Sequence, residues 1–204
     1  MQLAVSHLIE KEGVLPKNLQ LFGDSAGGNH IWQFLSQALH PRKDLPTYRL
    51  PSKPRGVCFM SPWFDAFGQN LDTNDQRVHD RYEKDCISPS SVPVWGHKCF
   101  SHVPENYRPY FDALHAPTGW LDNIGSISSR WLITAGADEH LSDSISKVYE
   151  KQFKIMSKND ADVKFYLQAD GIHDDGLMNF MLNDNPERNE LSKLVWAWFS
   201  DGFQ

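Results

Sequence analysis

Leu19-Gln20-Leu21-Phe22-Gly23-Asp24-Ser25-Ala26-Gly27-Gly28 is the stretch on which the reading of this chain turns. An apolar strand runs into Gly23-Asp24-Ser25-Ala26-Gly27, a G-x-S-x-G pentapeptide, and a helical pattern follows at once through Ile31, Phe34, Leu35 and Ala38. A serine hydroxyl is a poor nucleophile in water, so a serine enzyme must hold it beside a base and clear of its own backbone. A sharp strand-to-helix turn does this by putting Ser25 at the tip, where strained backbone needs small neighbours. Gly23 and Gly27 are expected to remove side chains that would collide across the turn. The Ala26 N–H, at the helix start, would point toward an oxyanion formed in front of Ser25.

Working outward, strand-like and helix-like segments alternate. Residues 2–12 read as a helix ended by Gly13; a Pro16-bearing turn leads to the strand 18–22. His40–Lys53, rich in proline and charge, reads as a surface loop, and Arg55–Met60 as the second strand. Residues 61–123 form a long irregular insertion with scattered prolines and short helical stretches near 88–100, of the kind that lines binding sites. Arg130–Ala135 is the third strand. Ser142 is a candidate N-cap for a helix with Ile145, Val148, Tyr149 and Met156 on one face. Val163–Gln168 is the fourth strand, and Leu191, Leu194, Val195 and Trp198 mark a closing amphipathic helix. This alternation predicts an α/β fold: one domain over 1–204 with about four parallel strands, in chain order, and helices on both faces.

Composition narrows the function. The 204 residues are 40% hydrophobic, with seven Trp and twelve Phe, which is a globular make-up. No apolar run approaches the roughly 20 residues of a membrane span. A net charge of −6 and the lack of a Lys/Arg cluster argue against nucleic acid as a partner. Cys58, Cys86 and Cys99 are an odd set without C-x-x-C spacing, so neither a disulfide framework nor a zinc site is expected. Met1 opens directly into a helical pattern with no basic region or cleavage site, which makes a cytoplasmic location the default.

A serine nucleophile needs a general base, and the base needs an acid to fix its tautomer. In one known arrangement of such a triad on a parallel sheet, that of the α/β-hydrolases, the chain order is serine, acid, histidine, each on a loop after a strand. Of nine histidines, only His173 lies just after the last strand, in Ala169-Asp170-Gly171-Ile172-His173, with Gly171 giving the loop freedom to turn. His140 neighbours the candidate acid and is expected to face solvent. The acid belongs after the third strand, where Gly136-Ala137-Asp138-Glu139-His140-Leu141 offers two carboxylates. Local physics does not choose between Asp138 and Glu139.

Taken together, Gly23–Asn29, Ser61-Pro62-Trp63 after the second strand, Asp138–Asp143 and Gly171-Ile172-His173 make the chain resemble the α/β-hydrolase superfamily. The likeness is to its hormone-sensitive-lipase-like esterases and their fungal relatives, and it covers almost the whole chain. The resemblance implies an acid two residues before a Leu-x-Asp. Here those residues are Leu141 and Asp143, which favours Glu139. It also implies a His-Gly-Gly-Gly-type oxyanion loop upstream of the nucleophile. These 204 residues hold no such motif, so the first four strands, that loop and the amino-terminal cap are expected to be missing. The function implied is a serine carboxylic-ester hydrolase with Ser25, Glu139 and His173 as its triad, Ala26 as oxyanion donor, and no metal or organic cofactor. Its substrates would be acetyl or short-acyl esters of a hydrophobic alcohol such as a sterol or secondary metabolite. The alternative is an inactive hydrolase-like fragment or a non-catalytic small-molecule-binding module. A homo-oligomer is compatible with either.

Overall fold

A computed structural model describes residues 1–45, 50–71, 75–154, 161–182 and 189–203. Four strands, β1 (Gln20–Asp24), β2 (Gly56–Met60), β3 (Arg130–Gly136) and β4 (Asp162–Gln168), form one sheet in the order β1-β2-β3-β4. Every neighbouring pair is parallel. The helices are α1 (Gln2–Glu10), α2 (Ser25–Leu39), α3 (Gln76–Tyr82), α4 (Ser91–Phe100), α5 (Ser142–Val148), α6 (Asp175–Leu182) and α7 (Glu190–Asp201). Parallel strands need crossovers, and the long connections supply them.

The two sheet faces follow from the period-2 alternation of side chains along a strand. On one face Val57, Phe59, Trp131, Ile133 and Ala135 pack with Ile31, Trp32 and Leu35 of α2 and Ile145 and Val148 of α5. On the other, Cys58, Met60 and Leu132 meet Leu191, Val195 and Trp198 of α7. Because both faces are covered, β2 and β3 are buried along almost their whole length rather than on alternate residues. Each large apolar side chain buried here contributes about 1.5–3 kcal/mol. Helices on both faces of a parallel four-stranded sheet is the architecture expected from the sequence.

Local boundaries differ from the sequence reading for identifiable reasons. Pro16–Asn18 form a short 3₁₀ turn, so the first strand starts at Gln20 and not at 18. Proline's fixed φ and missing N–H suit that turn and delay entry into the ladder. Ser142 is the first residue of α5 and Leu141 its N-cap. Ser144 Oγ donates back to the Leu141 carbonyl at 2.7 Å. After Val148 the helix loosens into a π-helical turn over Tyr149–Phe153. Met156 and part of the 40–53 loop lie outside the described residues. The insertion after β2 carries α3, α4 and a 3₁₀ turn at Glu105–Tyr110. The three cysteines are free, Cys58 being buried in β2.

Candidate active site

The carboxyl ends of parallel strands share one rim, and all the singled-out residues emerge there. Ser25 follows β1 directly. Its φ of +48° is left-handed for a residue with a side chain, a strained conformation that persists only where its surroundings enforce it. Two glycines make the turn possible. A Cβ on Gly23 would stand 2.5 Å from the Gly27 carbonyl carbon, and one on Gly28 would stand 2.6 Å from Pro62 Cβ. Gly27, expected to be the second indispensable small residue, would bring its Cβ only to 3.3 Å from Asp24 Oδ1. The tight approach belongs to Gly28, because the loop after β2 packs on the first turn of α2.

That loop links the elbow to the other strands. Trp63 donates its N–H to the Ser25 carbonyl at 2.9 Å. The Asn29 amide donates to the carbonyls of Trp63 and Phe111, at 2.8 and 2.7 Å. Ser61, itself at φ +42°, donates its N–H to Thr134 of β3 at 3.0 Å. Its hydroxyl accepts the Asp174 N–H at 3.2 Å. Ser61-Pro62-Trp63 therefore touches the serine turn at one end and the histidine loop at the other.

After β3 the chain separates its two carboxylates sharply. Glu139 is fully buried and its Oε2 lies 3.3 Å from His173 Nδ1. Asp138 turns outward and pairs with Lys84 at 2.9 Å. The loops after β3 and β4 are stitched together by backbone bonds, Ala137 N–H to the Gln168 carbonyl and Asp138 N–H to the Gly171 carbonyl, at 2.8 and 2.9 Å. The left-handed positions of the histidine loop are Asp170 and Asp174, at φ +55° and +54°, so Gly171 does not supply the turn's freedom. His140 was expected to face solvent. It is 1% exposed instead, because its N–H donates inward to Asp85 Oδ2 at 2.8 Å. Burial lowers its pKa and keeps the ring neutral.

Asp85 went unnoticed in the sequence, where it is one more carboxylate in a charged loop. Besides His140, its other oxygen accepts the His173 N–H at 3.1 Å. One side chain thus ties the loop after β3 to the loop after β4. Cys86 adds a weak bond from its thiol to the His173 carbonyl, at 3.7 Å.

The electrostatics centre on His173, which is 4% exposed. Burial opposes its protonation, but the carboxylates of Asp174 and Glu139 outweigh this and raise its pKa well above the usual imidazole range. Burial raises the Glu139 carboxyl, while the His173 ring and the Ser61 hydroxyl hold it down. The second ring nitrogen, Nε2, lies 3.2 Å from Asp174 Oδ2. It was expected to face Ser25. Among the hydrogen bonds of the described residues, none joins Ser25 Oγ to His173.

In front of Ser25 and Ala26 lies a cavity of about 310 Å³, walled by Trp63, Ile87, Val92, Trp95 and Leu141 and almost wholly apolar. Trp63 and Trp95 meet edge to face there, with centroids 6.4 Å apart. Other aromatics of the 61–123 insertion serve packing, Phe64 and Phe111 in the core and Trp120 against it. Among the described residues, Asp65, Asp112 and His115 also cluster closely. The carboxylate oxygens of Asp65 and Asp112 already accept bonds from Gln69, Asn70 and Arg108.

The arrangement has counterparts. A family profile described as steryl acetyl hydrolase matches residues 2–190. No curated protein sequence matches the chain. Among solved structures, an esterase/lipase from an uncultured bacterium superposes with a TM-score of 0.67 at 20% identity, covering 100% of this chain and 59% of its own. A hormone-sensitive lipase from a metagenome library gives 0.67 at 18% identity, covering 98% and 60%. An esterase from the bacterial hormone-sensitive lipase family gives 0.64 at 17%, covering 91% and 55%. The chain spans little more than half the length of these structures, and the likeness is one of fold.

Proposed function

This chain belongs to the steryl acetyl hydrolase family, an esterase lineage on the α/β-hydrolase fold, and we propose that it cleaves acetyl esters of a bulky hydrophobic alcohol with Ser25 as nucleophile. The observation that carries this reading is the strained Ser25 at the mouth of an apolar cavity, on the same rim as the buried His173–Glu139 pair. Ser25 Oγ adds to the ester carbonyl carbon as His173 Nε2 takes its proton. Glu139 holds Nδ1–H, fixing the tautomer and stabilising the imidazolium. The Ala26 N–H donates to the oxyanion; one such donor is worth about 10²–10³ in rate. Collapse breaks the bond to the alcohol oxygen, which leaves with the proton from His173. A water, deprotonated by the same nitrogen, then releases the acid and frees Ser25.

A cavity near 310 Å³ is at the small end for ligand sites, enough for an acetyl group and one end of a ring system. Hydrolysis of p-nitrophenyl acetate, butyrate and octanoate, and of a steryl acetate, tests the proposal. The acetyl ester should be preferred over the octanoyl by at least about 10-fold, since each mis-fitted methylene costs about 1–3 kcal/mol. Ser25→Ala should abolish turnover. Preference for the longest acyl chain would refute acetyl selectivity, and full activity in Ser25→Ala would refute the nucleophile.

One observation favours a second reading, a hydrolase-like module that binds a small apolar ligand without turnover: Asp174 occupies the ring nitrogen that turnover needs. The same assays separate the two, because that module would show saturable binding and no acid release.

A further inference from the structure

Both ring nitrogens of His173 face carboxylates, Nδ1 toward Glu139 at 3.3 Å and Nε2 toward Asp174 at 3.2 Å. A neutral imidazole has only one N–H; with a carboxylate on each side its bare nitrogen would meet an anion. With both acids ionised the ring is an imidazolium clamped between them, a form that cannot accept a proton from Ser25. We propose that Asp174 is a gate on the catalytic base: it holds Nε2 in the resting state and must turn aside, the ring proton passing to solvent water, before Ser25 can engage. This rests on the triad reading above.

The surroundings of Asp174 suit a releasable contact. Its backbone is left-handed, at φ +54°, and is held there by the bond from its N–H to Ser61 Oγ. Its side chain is 17% exposed, against 0% for Glu139, so one carboxylate has a route to water and the other has none. Its second oxygen, Oδ1, is buried without a hydrogen-bond partner, as is Glu139 Oε1, but only Asp174 is exposed enough to turn toward water. Leaving a buried acceptor unpaired is costly, and turning outward relieves that cost. The pair at Nδ1 is fixed, whereas the pair at Nε2 is poised to exchange.

The other groups facing His173 do not compete for Nε2. Asp85 binds its backbone N–H, and Cys86 its carbonyl. Ser61 lies against Asp174 and Glu139. Two cations of α3 and the turn after it are paired elsewhere, Lys84 with Asp138 and Arg81 with Asp143. The field at the ring is therefore set by Glu139 and Asp174, with Asp85 behind them.

The sign of the pH effect follows. An adjacent carboxylate favours the charged ring, so the base form appears only at higher pH. Removing the Asp174 charge should move the His173 titration down by about 1–3 pH units. The test uses the full chain with isotope-labelled histidine, the His173 ring signals being identified by their loss in His173→Gln. Wild type, Asp174→Asn and Asp174→Ala are titrated by NMR, and the pH dependence of fluorophosphonate labelling at Ser25 is followed in parallel. The proposal predicts that both replacements lower the ring midpoint and shift the acid limb of labelling down with it, making labelling at neutral pH faster. An unchanged or raised midpoint, or slower labelling at every pH, overturns it while leaving the triad intact. No labelling of Ser25 in any of the proteins, with a ring that still titrates, sinks the triad reading and the gate together.

Discussion

Asp138 and Glu139 are sequence neighbours with the same chemistry, and only their surroundings tell them apart. Glu139 is fully buried against His173, while Asp138 sits on Lys84 near the surface. Glu139→Gln should lower kcat on an acetyl ester by at least about 10²-fold, because the ring loses its tautomer anchor and its charge partner. Asp138→Asn should change it little, as exposed ion pairs carry about 0–1 kcal/mol. Both are read in the same steady-state assay, and a reversed order would move the acid to Asp138. The places of Ser25, at a strand-to-helix turn, and of His173, just after the last strand, were legible from the pattern of strands and helices. Glu139 was reachable only through resemblance, since alternation says nothing about which of two loop residues turns inward. Asp85 and Asp174 carried no signal of a role, and Ser61 was marked by resemblance alone: a carboxylate or hydroxyl in a polar loop looks alike whether it faces water or a histidine.

The strand-to-helix turn is the element on which the proposed chemistry depends, and its glycines are unequal. Gly23→Ala would drive a methyl to 2.5 Å from the Gly27 backbone, which neither β1 nor α2 can yield. Such overpacking costs typically about 1–3 kcal/mol. Gly27→Ala meets only Asp24 Oδ1 at 3.3 Å and gains helix propensity worth up to about 1 kcal/mol. Urea unfolding should therefore show Gly23→Ala clearly destabilised and Gly27→Ala near wild type. Equal losses at the two positions would mean that the turn is not packed as described. The four strands were readable as apolar runs bounded by Gly and Pro. α3 and α6 were not, because α3 is seven residues of mostly polar character and α6 begins Asp175-Gly176, a sequence that equally suits a turn.

At the scale of the molecule, the sheet gathers four separate loops onto one rim. The fold was legible from alternation alone, whereas the meeting of Asp85 with the loops after β3 and β4 depends on the path of a long insertion that no local pattern dictates. Among the described residues no helix is long and apolar enough to cross a membrane. β1 borders the sheet, so the strand leading to Ser25 is paired on one side, with β2. The chain covers 59% of one solved esterase and 60% of another, and it still holds the turn, the acid loop and the histidine loop together. The central claim is that this assembly activates Ser25. The most direct measurement is to incubate the folded chain with a fluorophosphonate, digest it, and map the adduct by mass spectrometry. The account predicts one adduct, on Ser25, absent in Ser25→Ala and formed at least about 10-fold more slowly in His173→Gln, where the general base is gone. Labelling at another serine, or equal labelling of His173→Gln, would contradict it.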